Sequence, residues 1–314
     1  MTVVPQEVFP VFVGSGRSGT TLLRTIFDAH PDLAMTHEPQ FMGSVVRRSK
    51  SRSTGGVDLE DFLAVIYGNP NFRRLDLDRA EVERALSEAA PANPADAVRV
   101  VFGVYAAREN KSLYGDKTPG YIIQLPELAR WFPEARFVHV VRDGRNVALS
   151  YLERPWGPST VGEAALYWRS RVGRGRAAGK ALGPDRYVEV RYEDIVTDPE
   201  SEVKRLCEFL SLPWRPEMLR YQEAAEEFIA QSHQPEAFKA LVLPPTSGLR
   251  KWSTEMDSRD VDLFEAIAGG LLEDLGYERR STAPRLSVRL RARSAEAQWA
   301  GRRARAALRS RIRR

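Results

Sequence analysis

The chain has 314 residues and one cysteine, Cys207. It can form no internal disulfide, and a cysteine-based zinc site is excluded. The Cys207 segment, Val203-Lys204-Arg205-Leu206-Cys207-Glu208-Phe209-Leu210, has helical spacing, so this thiol is expected in a helix core. No apolar run approaches the roughly 20 residues needed to span a bilayer as a helix. The first residues, Met1 to Glu7, offer neither a basic nor a long apolar region of a secretory signal. The expectation is a soluble cytoplasmic protein.

What is present is an ordinary globular composition, with 43% hydrophobic and 28% charged residues. Arginine greatly outnumbers lysine. The net charge of +5 conceals an asymmetry. Residues 281–314 hold eleven arginines and a single acid, Glu296, a net of +10, so the preceding 280 residues carry −5. The expected organisation is one domain over 1–280 and a basic tail over 281–314.

Apolar runs alternate with helical patterns. Val8 to Val13 is a strand signal, followed by Gly14-Ser15-Gly16-Arg17-Ser18-Gly19-Thr20-Thr21 and a helical pattern through Leu22, Leu23, Ile26 and Phe27. Further strands are expected at 33–36, 112–115, 135–141 and 186–190. Helices are expected at 58–67, 78–90, 96–109, 125–131, 160–178, 199–210 and 216–232, with a last one from Asp257 or Ser258 to Leu275. Residues 43–56 and 233–253 read as loops. Alternation of this kind predicts an α/β three-layer sandwich with a mostly parallel sheet.

The strand–glycine loop–helix unit points backbone N–H groups at a phosphate. It departs from the Walker pattern, because Thr20 stands where the lysine belongs. The nearby cation is Arg17. Other polar clusters follow strands at 37–38, 116–117 and 142–150, the edge at which open α/β sheets bind ligands. Arg142 at a strand end and Ser150 two turns into the next helix are spaced to reach one phosphate.

Three ordered strings carry a family resemblance. P-V-F-V-G-S-G-R-S-G-T-T-L-L-R resembles the 5′-phosphosulfate loop of the sulfotransferases that use 3′-phosphoadenosine-5′-phosphosulfate (PAPS). F-V-H-V-V-R-D-G-R-N-V-A-L-S-Y is similar to their 3′-phosphate motif, and Arg191-Tyr192-Glu193-Asp194 resembles the segment whose tyrosine lies at the adenine. The resemblance implies a P-loop-NTPase-like form of the sandwich, PAPS as donor, no metal, and an acceptor bearing a hydroxyl. It accounts for the missing lysine, since a sulfuryl donor has no γ-phosphate. Arg17, Glu38 and the acid-Lys segment at Asp116-Lys117 are more similar to the tyrosylprotein sulfotransferases than to the cytosolic small-molecule enzymes, and a soluble bacterial member is expected.

On that resemblance Glu38 is the base, with His37 as its rival. In an extended backbone adjacent residues face opposite sides, so one of the two faces the donor. Arg17 and Lys117 would stabilise developing charge. Ser18, Gly19, Thr20, Thr21, Arg142, Ser150, Arg154, Tyr192 and the late-loop residues Ser247, Arg250 and Lys251 would bind the nucleotide. Trp252 reads as a donor-loop residue or a core anchor, and His139 as a packed histidine. The acceptor is a sugar, glycolipid, phenol, natural product or peptide tyrosine, with residues 40–75 and 152–160 lining its pocket. A P-loop kinase or NTPase and a non-catalytic nucleotide-binding protein stay open as alternatives. The tail has near-helical apolar spacing among arginines, which suits either a peripheral contact at the inner membrane surface or a solvated extension. Nucleic-acid binding is not expected, and a homodimer stays open.

Overall fold

The structure, a computed structural model, describes residues 6–49, 57–222, 225, 229, 251–280 and 283–312. The strands are β1 (Phe9–Gly14), β2 (Leu33–His37), β3 (Leu113–Lys117), β4 (Ala135–Val141) and β5 (Tyr187–Arg191). The first helices are α1 (Thr20–Asp28), α2 (Met42–Ser49), α3 (Leu59–Tyr67), α4 (Arg79–Ala89), α5 (Pro94–Arg108) and α6 (Leu125–Trp131). They are followed by α7 (Gly144–Leu152), α8 (Val161–Leu182), α9 (Tyr192–Thr197) and α10 (Pro199–Phe209). Beyond residue 250 come α11 (Trp252–Glu255), α12 (Ser258–Asp274) and α13 (Leu286–Ile312). The chain divides into two compact units. One comprises Met1–Gly14, Gly19–Val140 and Gly175–Ser247; the other comprises Ser15–Ser18, Val141–Arg174 and Gly248–Arg314.

The first unit is built on a parallel five-stranded sheet in the order β2-β3-β1-β4-β5. All six residues of β1 are buried, as expected of a central strand covered on both faces. Their side chains alternate. Phe9, Val11 and Val13 enter one core with Phe102, Tyr114 and Phe132, and Phe12 enters the other with Leu23, Ile26 and Phe27. This is the expected helix–sheet–helix sandwich. The order reverses across β1, with β2 and β3 on one side of it and β4 and β5 on the other. The carboxyl end of β1 is therefore a topological switch point, where such sheets take ligands.

Local capping sets the helix boundaries. Asp58, Asp78, Asn93 and Asp198 each accept a backbone N–H of the first turn, and Pro94 and Pro199 stand at the first helical position. Cys207 is buried in α10, as expected. The loop expected over 43–56 is corrected in part, because 43–49 belong to α2, whose Val45 and Val46 are buried. The helix expected over 216–232 is replaced at its start by a 3-10 turn, Pro216–Arg220.

The second unit packs α7, the first half of α8, α12 and α13 around a core of Val147, Trp168, Phe264 and Leu272. Gly144 is required there, since a Cβ on it would lie 2.6 Å from both Phe264 and Trp168. Asp257 caps α12 through Arg259 N, and Gly276 follows its end at φ 75°.

Candidate active site

In the first unit, the expected site residues Glu38 and Lys117 lie at the carboxyl ends of β2 and β3. Lys117 is the last residue of β3 and is fully buried. Its Nζ donates to Glu38 Oε1 at 2.7 Å and to Thr21 Oγ1, in the first turn of α1, at 3.2 Å. The Glu38 N–H also donates to the Lys117 carbonyl at 2.9 Å, which carries the β2–β3 ladder one residue past the strand. Glu38 is thus held at both backbone and side chain. Its carboxylate is 32% exposed. Oε1 faces Lys117, and Oε2 accepts no hydrogen bond among the described residues.

Burial pushes the Lys117 ammonium down from its usual value, and the Glu38 carboxylate works against that shift. Asp116, one residue earlier, is completely buried and receives Thr36 Oγ1 at 3.0 Å and Thr118 Oγ1 at 3.3 Å. Burial raises it to about 7 in spite of these donors. The acid-Lys pair was expected just after a strand. Both residues instead close β3, Asp116 opposite Val11 and Thr36 and Lys117 opposite Phe12 and His37.

The strand β2 stops at His37, and Glu38 has φ 52°. The extended alternation across 36–38 therefore fails at Glu38, which turns out of the strand. His37 is held well below its usual range by burial and by the Lys117, Arg24 and Arg74 charges. An imidazole so depressed is neutral and a weak base. His139 is a packed residue, as read from the sequence. It is fully buried, Nδ1 lies 2.6 Å from the Tyr187 hydroxyl, and burial lowers it to about 3.

Gly19 and Tyr192 complete this group. Gly19 has φ 90°, and a Cβ on it would lie 2.2 Å from Tyr192 Cδ2, so the tyrosine ring rests on the glycine. Tyr192 opens α9 directly after β5 and is buried. Thr20, the first residue of α1, is buried as well.

In the second unit, Arg17 Nε donates to Ser150 Oγ at 2.9 Å, and Arg142 Nη1 donates to the Arg17 carbonyl at 3.5 Å. The strand-end arginine, the loop arginine and the helix serine are thereby brought together. Arg17 has φ 69°, so two of the three expected catalytic residues sit in the left-handed region that non-glycine residues rarely occupy. The Ser18 hydroxyl is fully buried and has no hydrogen-bond partner among the described residues. Arg154 Nε is likewise buried without one. A Cβ on Gly16 would lie 2.3 Å from the Tyr151 hydroxyl. Buried polar groups with unmade hydrogen bonds beside a backbone that admits no side chain fit an anionic ligand.

The sequence reading missed the support beneath this group. Arg145 is buried and joins Asp143 and Glu265 at 2.7 Å each. Its guanidinium lies 3.6 Å from the ring centroid of Trp252. The Trp252 N–H donates to Asn146 Oδ1 at 2.9 Å. Trp252 is thus an anchor on α7, and it pins the end of the segment that carries Lys251, which is exposed. Ser247 and Arg250 lie outside the described residues.

Comparison with known proteins identifies a family. The profile described as "Sulfotransferase family" matches residues 10–216. The protein-tyrosine sulfotransferase 1 of Danio rerio is 26% identical over 284 residues, covering 87% of this chain and 74% of the relative. Two solved sulfotransferase domains share the fold. One, from the curacin biosynthetic pathway, aligns with a TM-score of 0.56 at 20% identity over 88% of this chain and all of its own. The other, from the Synechococcus PCC 7002 olefin synthase, aligns with a TM-score of 0.57 at 22% identity over 86% of this chain and 94% of its own. The match spans both the glycine loop after β1 and the Arg142–Ser150 helix, and the chain belongs to the sulfotransferase family.

Proposed function

We propose that this sulfotransferase moves the sulfuryl group of PAPS to an acceptor hydroxyl, with Glu38 as general base. The observation that carries the reading is the Lys117–Glu38 pair, a buried ammonium 2.7 Å from a partly exposed carboxylate at the sheet's ligand-binding edge. An acid–base pair so placed has no packing role that two apolar residues would not fill better.

The roles follow from charge. The donor supplies the sulfuryl group, and the acceptor oxygen displaces the bridging oxygen of the donor's phosphate. Glu38 Oε2 takes the acceptor proton. Arg17 and Lys117 offset the negative charge that grows on the leaving and equatorial oxygens, as fixed cations do in phosphoryl transfer. Backbone N–H groups over 18–21, with the Ser18, Thr20 and Thr21 hydroxyls, hold the 5′-phosphate. Arg142, Ser150 and Arg154 hold the 3′-phosphate, with Lys251, Ser247 and Arg250 from the late loop. Tyr192 lies at the adenine. The reaction as proposed uses no metal.

Titration with PAPS, its product and ATP under thermal melting tests the donor. PAPS and the product raise the melting temperature, and ATP does so far less. Incubation with PAPS, EDTA and a panel of sugars, phenols and tyrosine peptides then tests the transfer. Sulfated product in EDTA supports the reading. Phosphorylated product from ATP, or PAPS binding without any sulfated product, refutes it.

A further inference from the structure

The C-terminal helix α13 has two sides in different surroundings. One side is docked within its unit. Val288 and Ala292 are buried and Ala295 and Trp299 half-buried, at spacings of four, three and four residues. Ala295 meets Gly162 of α8, where an added Cβ would lie 3.1 Å from it. Arg169–Glu296 at 3.0 Å and Arg302–Glu163 at 2.6 Å fasten the same side.

A helix turns about 100° per residue, which places Leu286, Leu290, Ala297 and Ala304 opposite the docked side. All four are exposed. Leu286 at 73% and Leu290 at 57% are the most exposed large apolar side chains among the described residues. Exposed arginines border this stripe. Arg289 and Arg293 follow one edge and Arg305 the other, while Arg291 sits towards the docked side, 3.9 Å from Asp260 of α12. The tail is strongly basic while the rest of the chain is acidic.

We propose that this outward side of α13 docks the protein on an anionic lipid bilayer. Leu286 and Leu290 enter the headgroup–acyl boundary, and the bordering arginines meet lipid phosphates, their aliphatic stems lying along the apolar stripe. The docked side explains why the helix is presented at all, since its inner stripe is already satisfied by the protein. A duplex nucleic acid would use the arginines and leave the leucines in water, so the leucines favour lipid. The acidic remainder of the chain is repelled by such a surface, which orients the protein with α13 towards it.

The test uses the full-length protein and pelleting with vesicles. Phosphatidylglycerol-containing vesicles bind it, and pure phosphatidylcholine vesicles do not. Binding falls steeply with salt. Leu286→Ser with Leu290→Ser lowers partitioning about tenfold or more. Arg289→Gln with Arg293→Gln lowers it about thirtyfold, roughly fivefold per charge. Both variants alter only exposed side chains, so sulfuryl transfer to a water-soluble acceptor and the melting temperature stay at wild-type values. Absence of pelleting with anionic vesicles overturns the proposal. So does leucine-independent pelleting that a duplex oligonucleotide abolishes, which assigns the arginines to nucleic acid instead.

Discussion

Replacing Glu38 with Gln keeps the shape of the side chain and removes its charge. Two consequences follow from the structure. The first is chemical. Loss of a positioned base costs about 10²–10⁴-fold in turnover, or roughly 2.7–5.5 kcal/mol of barrier. The second is electrostatic. Lys117 is fully buried, and the charge and hydrogen bond of Glu38 oppose the effect of burial and help keep it charged. Without that carboxylate its ammonium loses its proton more readily. Removing one partner of a fully buried pair costs about 3–5 kcal/mol. Glu38 is 32% exposed, so water screens part of this and a loss of about 1–2 kcal/mol in stability is expected. The assay is sulfate transfer under saturating PAPS, with donor affinity from calorimetry. Turnover of Glu38→Gln falls at least a hundredfold and donor affinity stays within about threefold. Residual activity declines at lower pH than in the wild type as Lys117 deprotonates. Adding Lys117→Met to Glu38→Gln separates the two effects, because removing both charges restores stability and leaves turnover low. Turnover of Glu38→Gln near the wild-type rate would refute the assignment, as would recovery of activity in the double variant.

Three further outcomes are expected. Gly19→Ala places a methyl in the Tyr192 ring at a backbone φ of 90°; it lowers stability by about 1–3 kcal/mol and weakens donor binding by calorimetry. Asp116 is raised from an ordinary 3.8 to about 7, so between these values the unfolded chain has lost a proton that the folded protein keeps. Stability of the wild type relative to Asp116→Asn therefore falls by about 1.4 kcal/mol per pH unit from pH 3.8 to 7, read by urea unfolding. His139 is lowered from 6.5 to about 3, so the unfolded chain takes a proton that the folded protein refuses. Stability relative to His139→Gln falls as pH drops from 6.5 towards 3. The two slopes oppose each other where the windows overlap, and each single variant exposes the other.

The parallel sandwich was legible because β1 and β4 are short buried runs bounded by glycine or charge, and because helical apolar periodicity alternates with them. The family was legible because the Gly14–Thr21 loop and the Arg142–Ser150 spacing are local strings. The left-handed backbone at Arg17 and Glu38 was not, since such positions favour glycine and nothing local announces an arginine or glutamate there. The Lys117–Glu38 contact joins residues 79 apart, and the Arg145–Glu265 pair residues 120 apart. Such contacts depend on strand order and helix packing, which carry no local signal. The α2 helix was read as loop because its polar Arg, Ser and Gly content outweighed the buried Val45 and Val46.

The sequence by itself determined most of the element types, the glycine-rich loop after β1, the family, and the segregation of positive charge into the tail. Element types and charge follow from periodicity, capping and composition, and the family from the resemblance of short motif strings, all of which are local in the chain. Only the tertiary structure decided that Glu38 leaves its strand to meet a buried lysine, that Arg17 lies against Ser150, and that α13 docks one side and exposes Leu286 and Leu290 on the other. Each of these depends on which distant surfaces burial brings together, and burial is a property of the packed chain rather than of any segment in it.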